Sequence, residues 1–115
     1  MIAHYLLDTN VVIYLVNGRL ASPLPEGRYS ISVITEIELL SFPGLSAEEE
    51  KRILDLILVL DRVRITDTVR DQAIRLRRKY RLKLPDAVIA ASALDSASYL
   101  VDERSVLCVH RGYGL

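Results

Sequence analysis

Short apolar runs that stop at acids or turn residues alternate along this chain with longer stretches whose apolar positions recur every three or four residues. Residues 2–7 form the first such run and meet Asp8 abruptly, which suits a buried strand. Asp8, Thr9 or Asn10 can cap a helix that continues to about Val16 and closes at Asn17-Gly18. After a loop carrying Pro23, Pro25 and Gly27, the stretch Tyr29 to Ser32 predicts a second strand. A short helix from about Ile34 should end before Pro43-Gly44. Ser46-Ala47-Glu48-Glu49 has capping-box spacing. It opens a helix with Ile53, Leu56, Ile57 and Leu60 in one apolar stripe. Arg62 to Ile65 reads as a third strand, and a helix from Asp67 places Val69, Ala73, Leu76 and Tyr80 on one face. Pro85 fits the first turn of a further helix. Residues 87–94 of that helix are almost wholly apolar, so it should be central and buried. Ser98 to Val101 predicts a fourth strand and Val106 to Val109 a fifth.

Strands alternating with helices imply βαβ units and a mainly parallel sheet of four or five strands. No repeat or linker interrupts residues 1–115, so a single α/β domain is expected, with His4 packed within or beside the first strand. Half the chain is apolar, and 15 basic residues balance 15 acidic ones. Net charge therefore announces no nucleic-acid partner, although a local basic patch remains open. A lone Cys108 excludes an internal disulfide, and with only His4 and His110 there is no histidine–cysteine metal cluster. Any metal should be a hard cation bound by oxygen. No signal peptide or membrane-length apolar run is visible, and a cytoplasmic protein is expected.

Four carboxylates stand at the ends of expected strands or the starts of expected helices: Asp8, Glu38, Asp86 and Asp102. In an open α/β sheet such positions converge on the carboxyl edge of the strands, where ligands bind. Carboxylates gathered there repel one another, and a divalent cation such as Mg²⁺ or Mn²⁺ is the simplest thing that holds them. Each acid also has a plainer reading. Asp8 can simply cap its helix, and Thr35-x-x-Glu38 fits a capping box. Asp86 suits the helix dipole, and either Asp102 or Glu103 could point inward. Glu36 and Glu38 lie about 200° apart around a helix. Glu38 falls on the side of Ile34 and Ile37, expected to pack inward, and Glu36 should face solvent or a partner. Arg75, Arg77, Arg78, Lys79, Arg81 and Lys83 form a basic run just before Asp86, a solvated face or a contact for phosphates.

Taken together, Leu7-Asp8-Thr9-Asn10, then Ser32-Val33-Ile34-Thr35 with Glu38-Leu39, then Leu84-Pro85-Asp86-Ala87-Val88-Ile89-Ala90-Ala91 resemble the ordered motifs of PIN domains, the nuclease fold of VapC-type toxins. The resemblance spans essentially the whole chain. It departs at the last motif, where Asp102 follows Val101 directly instead of a Thr-x-Asp pattern. It implies a three-layer α/β/α fold and an endoribonuclease in which water activated by Mg²⁺ or Mn²⁺ attacks phosphorus in line. Asp8, Glu38, Asp86 and Asp102 would be the metal-binding and catalytic residues, supported by Thr9, Asn10 and Thr35. It further implies an RNA substrate, a cognate antitoxin and a homodimer. A catalytically inactive PIN-like module that binds RNA or protein is the alternative. A haloacid-dehalogenase-type phosphatase ranks below both, because Asn10 stands where that chemistry wants a second Asp, and a receiver domain lacks its late Lys.

Overall fold

The computed structural model describes residues 2–20 and 23–103. Four parallel strands, β1 (His4–Leu7), β2 (Arg28–Ser32), β3 (Asp61–Val63) and β4 (Tyr99–Val101), lie in the order β3-β2-β1-β4. Helix α1 (Thr9–Val16) links β1 to β2; α2 (Val33–Leu40) and α3 (Ala47–Val59) link β2 to β3. The crossover from β3 back to β4 carries α4 (Asp67–Tyr80) and α5 (Leu84–Asp95). The chain thus builds outward from β1 on one side and then returns to its other side. That reversal between β1 and β4 is the switch point where α/β sheets bind ligands.

Alternation along the strands sends apolar side chains to both faces. Leu7, Ile31 and Val101 join Val11 and Val12 of α1, Leu39 of α2 and Ile53 and Ile57 of α3 in one core. Leu6 faces the other way, onto Ile89 and Ala93 of α5. Behind it, Ala87, Val88 and Ala91 of α5 pack against Val69 and Ala73 of α4. The sheet is therefore covered on both sides, and α5 is buried along most of its length, as its composition requires. Its alanines let α4 approach closely.

The helix starts follow capping chemistry. Ser32 caps α2, Thr66 caps α4, and Ser46 and Glu49 complete the capping box of α3. Because Ser32 is the cap, Thr35 lies inside α2, and the capping-box reading of Thr35 and Glu38 falls away. Three further expectations need correction. Ile37 is 52% exposed, because α2 turns Thr35 and Leu39 inward instead. Tyr80 sits at the surface beneath the Lys79 ammonium, while Leu82 from the next turn reaches the core cluster in its place. His4 opens β1 but is exposed. The expected fifth strand, Val106–Val109, lies outside the described residues, as do Cys108 and His110.

Candidate active site

The parallel register decides which acids meet. Leu7 of β1 pairs with Val101 of β4, so Asp8 and Asp102 emerge side by side from the carboxyl edge of the sheet. The Asp8 amide donates to the Val101 carbonyl at 2.9 Å, closing the ladder between them. Asp86 arrives from the first turn of α5, where the sharp turn after α4 delivers it. That turn runs through Arg81 in the left-handed region, at φ 54°. Asp8, Asp86 and Asp102 line one recess of about 280 Å³, with Leu82, Ile89, Ala90 and Leu100 as its apolar walls.

Asp8 has two tasks. Its Oδ1 accepts from the Asn10 amide at 3.4 Å, capping α1, while its carboxylate also faces the recess. Burial pushes its pKa above the ordinary carboxylate value, and the negative charges of Asp86 and Asp102 push the same way. Hydrogen bonds from the backbone of Asn10 and Thr9 oppose the rise without cancelling it. One carboxylate thus both caps α1 and lines the recess.

Glu38 does not line this recess; it is tied to it through Thr9. The Thr9 hydroxyl donates to Glu38 Oε1 at 2.8 Å and lies 3.0 Å from the Thr35 hydroxyl. Thr9 has one hydroxyl proton, given to Glu38, so fully buried Thr35 must be the donor in the second bond. Thr9 and Thr35 thus form a short chain that holds the Glu38 carboxylate against Thr9, the residue after Asp8. Glu36 turns away, to Arg62 at 3.1 Å, and its side chain is only 18% exposed. It faces a basic neighbour rather than open solvent. The fourth motif is resolved in the same way: Asp102 faces the recess, while Glu103 turns to α1. Its Oε1 accepts from Asn10 Nδ2 at 2.7 Å and its Oε2 from the Tyr14 hydroxyl at 3.2 Å. The reading of the chain overlooked Tyr14, because an apolar-looking helix face gives no hint of which distant acid it meets.

Among the described residues no three acidic, imidazole or thiol side chains close into a ready-made metal cage. Three aspartates line an open recess instead. An open, all-oxygen set fits Mg²⁺, which keeps several waters and commonly takes only one or two carboxylates from a protein. Burial chiefly, and then the charges of Asp86 and Asp102, raise the Asp8 pKa, and a cation would offset that cost of ionising it.

The family model of the PIN domain matches residues 5–103, which takes in every element from β1 to Glu103. The chain belongs to the PIN-domain family. This PIN domain is similar to solved structures over most of its length. One is a toxin–antitoxin complex from Klebsiella pneumoniae, 27% identical, covering 96% of this chain and 92% of the matched chain at a TM-score of 0.72. VapBC2 from Rickettsia felis, bound to a DNA fragment from its promoter, is 22% identical, with 86% of each chain covered and a TM-score of 0.68. VapBC-1 from nontypeable Haemophilus influenzae is 23% identical, covering 87% of this chain and 86% of that one, also at 0.68. The last two speak to the fold alone. Comparison with curated protein sequences gives no match. The PIN domain is a nuclease family, so the expected VapC-like kinship and three-layer fold both hold. No helix among the described residues is long and apolar enough to cross a membrane.

Proposed function

We propose that this PIN domain is an endoribonuclease dependent on Mg²⁺ or Mn²⁺, and the toxin of a toxin–antitoxin pair. The observation that carries the reading is the recess at the β1–β4 switch point, where aspartates from β1, α5 and β4 meet in a chain of a nuclease family. Asp8, Asp86 and Asp102 would hold the cation. When bound, such a cation supplies Lewis acidity that makes water a nucleophile at neutral pH and offsets charge at the phosphate. Glu38, whose Oε1 accepts from the Thr9 hydroxyl next to Asp8, would orient the attacking water or take its proton. Asn10 supports Asp8 through its backbone amide. Arg81 and Lys83, exposed on the turn that delivers Asp86, offer cations to the substrate backbone.

The similar Klebsiella structure is described as a toxin–antitoxin complex, which supports a cognate antitoxin as partner. A homodimer in the cytoplasm completes the reading. The Ile53–Leu60 stripe of α3 is not free for such an interface, because Ile53 and Ile57 are spent on the chain's own core. The apolar side chains left on the outside of α3 are Leu54 and Leu58, one turn apart, with Val59 beside them.

The test is RNA cleavage by the chain purified free of any antitoxin, with Mg²⁺, with Mn²⁺, and with a chelator. Cleavage that needs the metal and drops about 100-fold or more in Asp86→Asn is expected. Metal-independent cleavage, or activity that survives Asp86→Asn, would refute the assignment. If the wild-type chain binds RNA but does not cut it whichever divalent metal is supplied, the inactive binding module is the correct reading.

A further inference from the structure

We propose that the side of α4 carrying Gln72, Arg75, Lys79 and Tyr80 is a second RNA-binding site, which grips the single strand flanking the bond held at the aspartate recess. This deepens the ribonuclease reading above and rests on it for the identity of the polymer.

Gln72, Arg75, Leu76, Lys79 and Tyr80 recur at helical spacing and so share one side of α4. With Leu94 of α5 they line a groove of about 260 Å³. Its lining holds the cations of Arg75 and Lys79 and no acid. The acids of α4 itself do not neutralise them, because Asp67 and Asp71 are both paired with Arg70. Arg75 and Lys79 form no ion pair among the described residues. Lys79 instead rests over the ring of Tyr80, 5.3 Å from its centroid, and Tyr80 is 58% exposed. Unneutralised cations beside an exposed aromatic ring suit a single strand of RNA, whose phosphates take the charges while a base stacks on the ring. About two turns from Tyr80, Gln72 Oε1 is buried with no hydrogen-bond donor among the described residues. A buried acceptor left unpaired is costly. Turning that amide into the groove lets a base amino group or a ribose hydroxyl supply the donor.

The place of the groove favours RNA over a protein segment. Leu82 walls the aspartate recess and Tyr80 walls the groove, two positions apart on the turn that delivers Asp86. Two residues span no more than about 7 Å. The groove therefore begins within reach of the nucleotides next to the bond to be cut, and Arg81 continues the positive charge between the two cavities.

The experiment measures binding of an oligouridylate of about 12 nucleotides to the full chain in a chelator, so that no RNA is cut and no metal takes part. The chain contains no tryptophan, so Tyr80→Trp installs a single reporter in the groove. Its fluorescence should be quenched as RNA binds, and Tyr80→Ala should weaken binding about tenfold. Arg75→Ala and Lys79→Ala should each flatten the salt dependence by about 0.7 of a log–log unit. Arg78→Ala, which takes a cation from the same helix outside the groove, should do much less. All of these side chains are exposed, and melting curves check that the variants fold. An unquenched reporter with RNA bound overturns the proposal. So do equal effects of Arg78→Ala and Lys79→Ala, which would make α4 a diffuse basic surface. Variants that keep wild-type RNA affinity but lose a purified antitoxin also overturn it and give the groove to a protein. Quenching in a chain that cuts no RNA with any divalent metal supports the groove and refutes the nuclease. Metal-dependent cleavage with an unquenched reporter does the reverse.

Discussion

Asp8 shows how one side chain carries a structural and a chemical task with opposite demands. As a cap it should be ionised; as one of three aspartates around a half-buried recess it is better neutral. The recess wins in sign, and the pKa rises. A raised carboxylate pKa means the folded state binds more protons than the unfolded one between the ordinary value, 3.8, and the raised one. Stability contributed by this group therefore falls as pH rises through that window and is lowest above it. Two outcomes follow at neutral pH. Millimolar Mg²⁺ or Mn²⁺ should raise the melting temperature of the wild-type chain. Asp8→Asn, which keeps a capping side chain, should raise the metal-free melting temperature by a few degrees and abolish the metal-induced gain. A thermal scan with and without metal checks both, and a wild-type curve that ignores metal would leave Asp8 as a cap and nothing more. The glutamates of α2 make the complementary case. Glu38→Gln should lower cleavage about 100-fold with little effect on folding. Glu36→Gln should leave the rate alone and change stability by no more than about 1 kcal/mol, since it loosens a half-exposed pair with Arg62. Equal losses of rate in the two would break the assignment of Glu38.

The turn between α4 and α5 breaks two local rules within three residues. Arg81 holds left-handed backbone where glycine is the usual choice, and Lys83 stands at the start of α5 with no capping hydrogen bond. A lysine there also sets a positive charge at the positive end of a helix dipole. Both departures put cations on the turn that leads to Asp86, and departures of this kind are expected where function outweighs stability. Lys83→Ser should therefore stabilise the fold by about 1 kcal/mol by supplying the missing cap. It should at the same time weaken RNA binding and flatten its salt dependence by about one unit of log–log slope. Denaturant unfolding and binding at several salt concentrations measure the two effects. A stabilised variant with unaltered RNA binding would show the lysine to be incidental.

For the whole molecule, the sheet order is what turns separated motifs into a site. β1 is central, β4 joins it from the side opposite β2, and their ends present Asp8 and Asp102 together. Tyr5 stacks on Tyr29 at 5.1 Å and lies 5.7 Å from Tyr99, so an aromatic ladder spans the same three strands. Cross-strand pairs of this kind help to fix the register on which the site depends. Association is the other property at this scale. Leu58 is 80% exposed and Val59 77%, more apolar surface than α3 needs for its own core. Sedimentation at micromolar concentration should give a dimer, and Leu58→Lys should give a folded monomer. A wild-type monomer at high micromolar concentration would remove the dimer without touching the chemistry.

The alternation of short apolar runs and amphipathic stretches was enough to place all nine described elements to within a few residues and to mark α5 as central. Local signals set these features: Ser46 and Glu49 cap α3, and Pro85 opens α5, by interactions that reach no further than one turn. The acids at the strand ends were visible for the same reason, since a carboxylate that stops an apolar run is a local event. What the sequence could not decide were contacts between residues far apart along the chain. Whether Asp102 or Glu103 turned inward depended on the Leu7–Val101 register and on two donors in α1 more than 85 positions away. The bond that holds Glu38 comes from a hydroxyl 29 residues distant, which no local pattern shows. Helical periodicity put Ile37 on the inner face, but α2 rotates by what the sheet and its neighbours leave open, and Thr35 and Leu39 took that space. Local chemistry fixes where helices and strands begin; only packing determines which way each carboxylate faces.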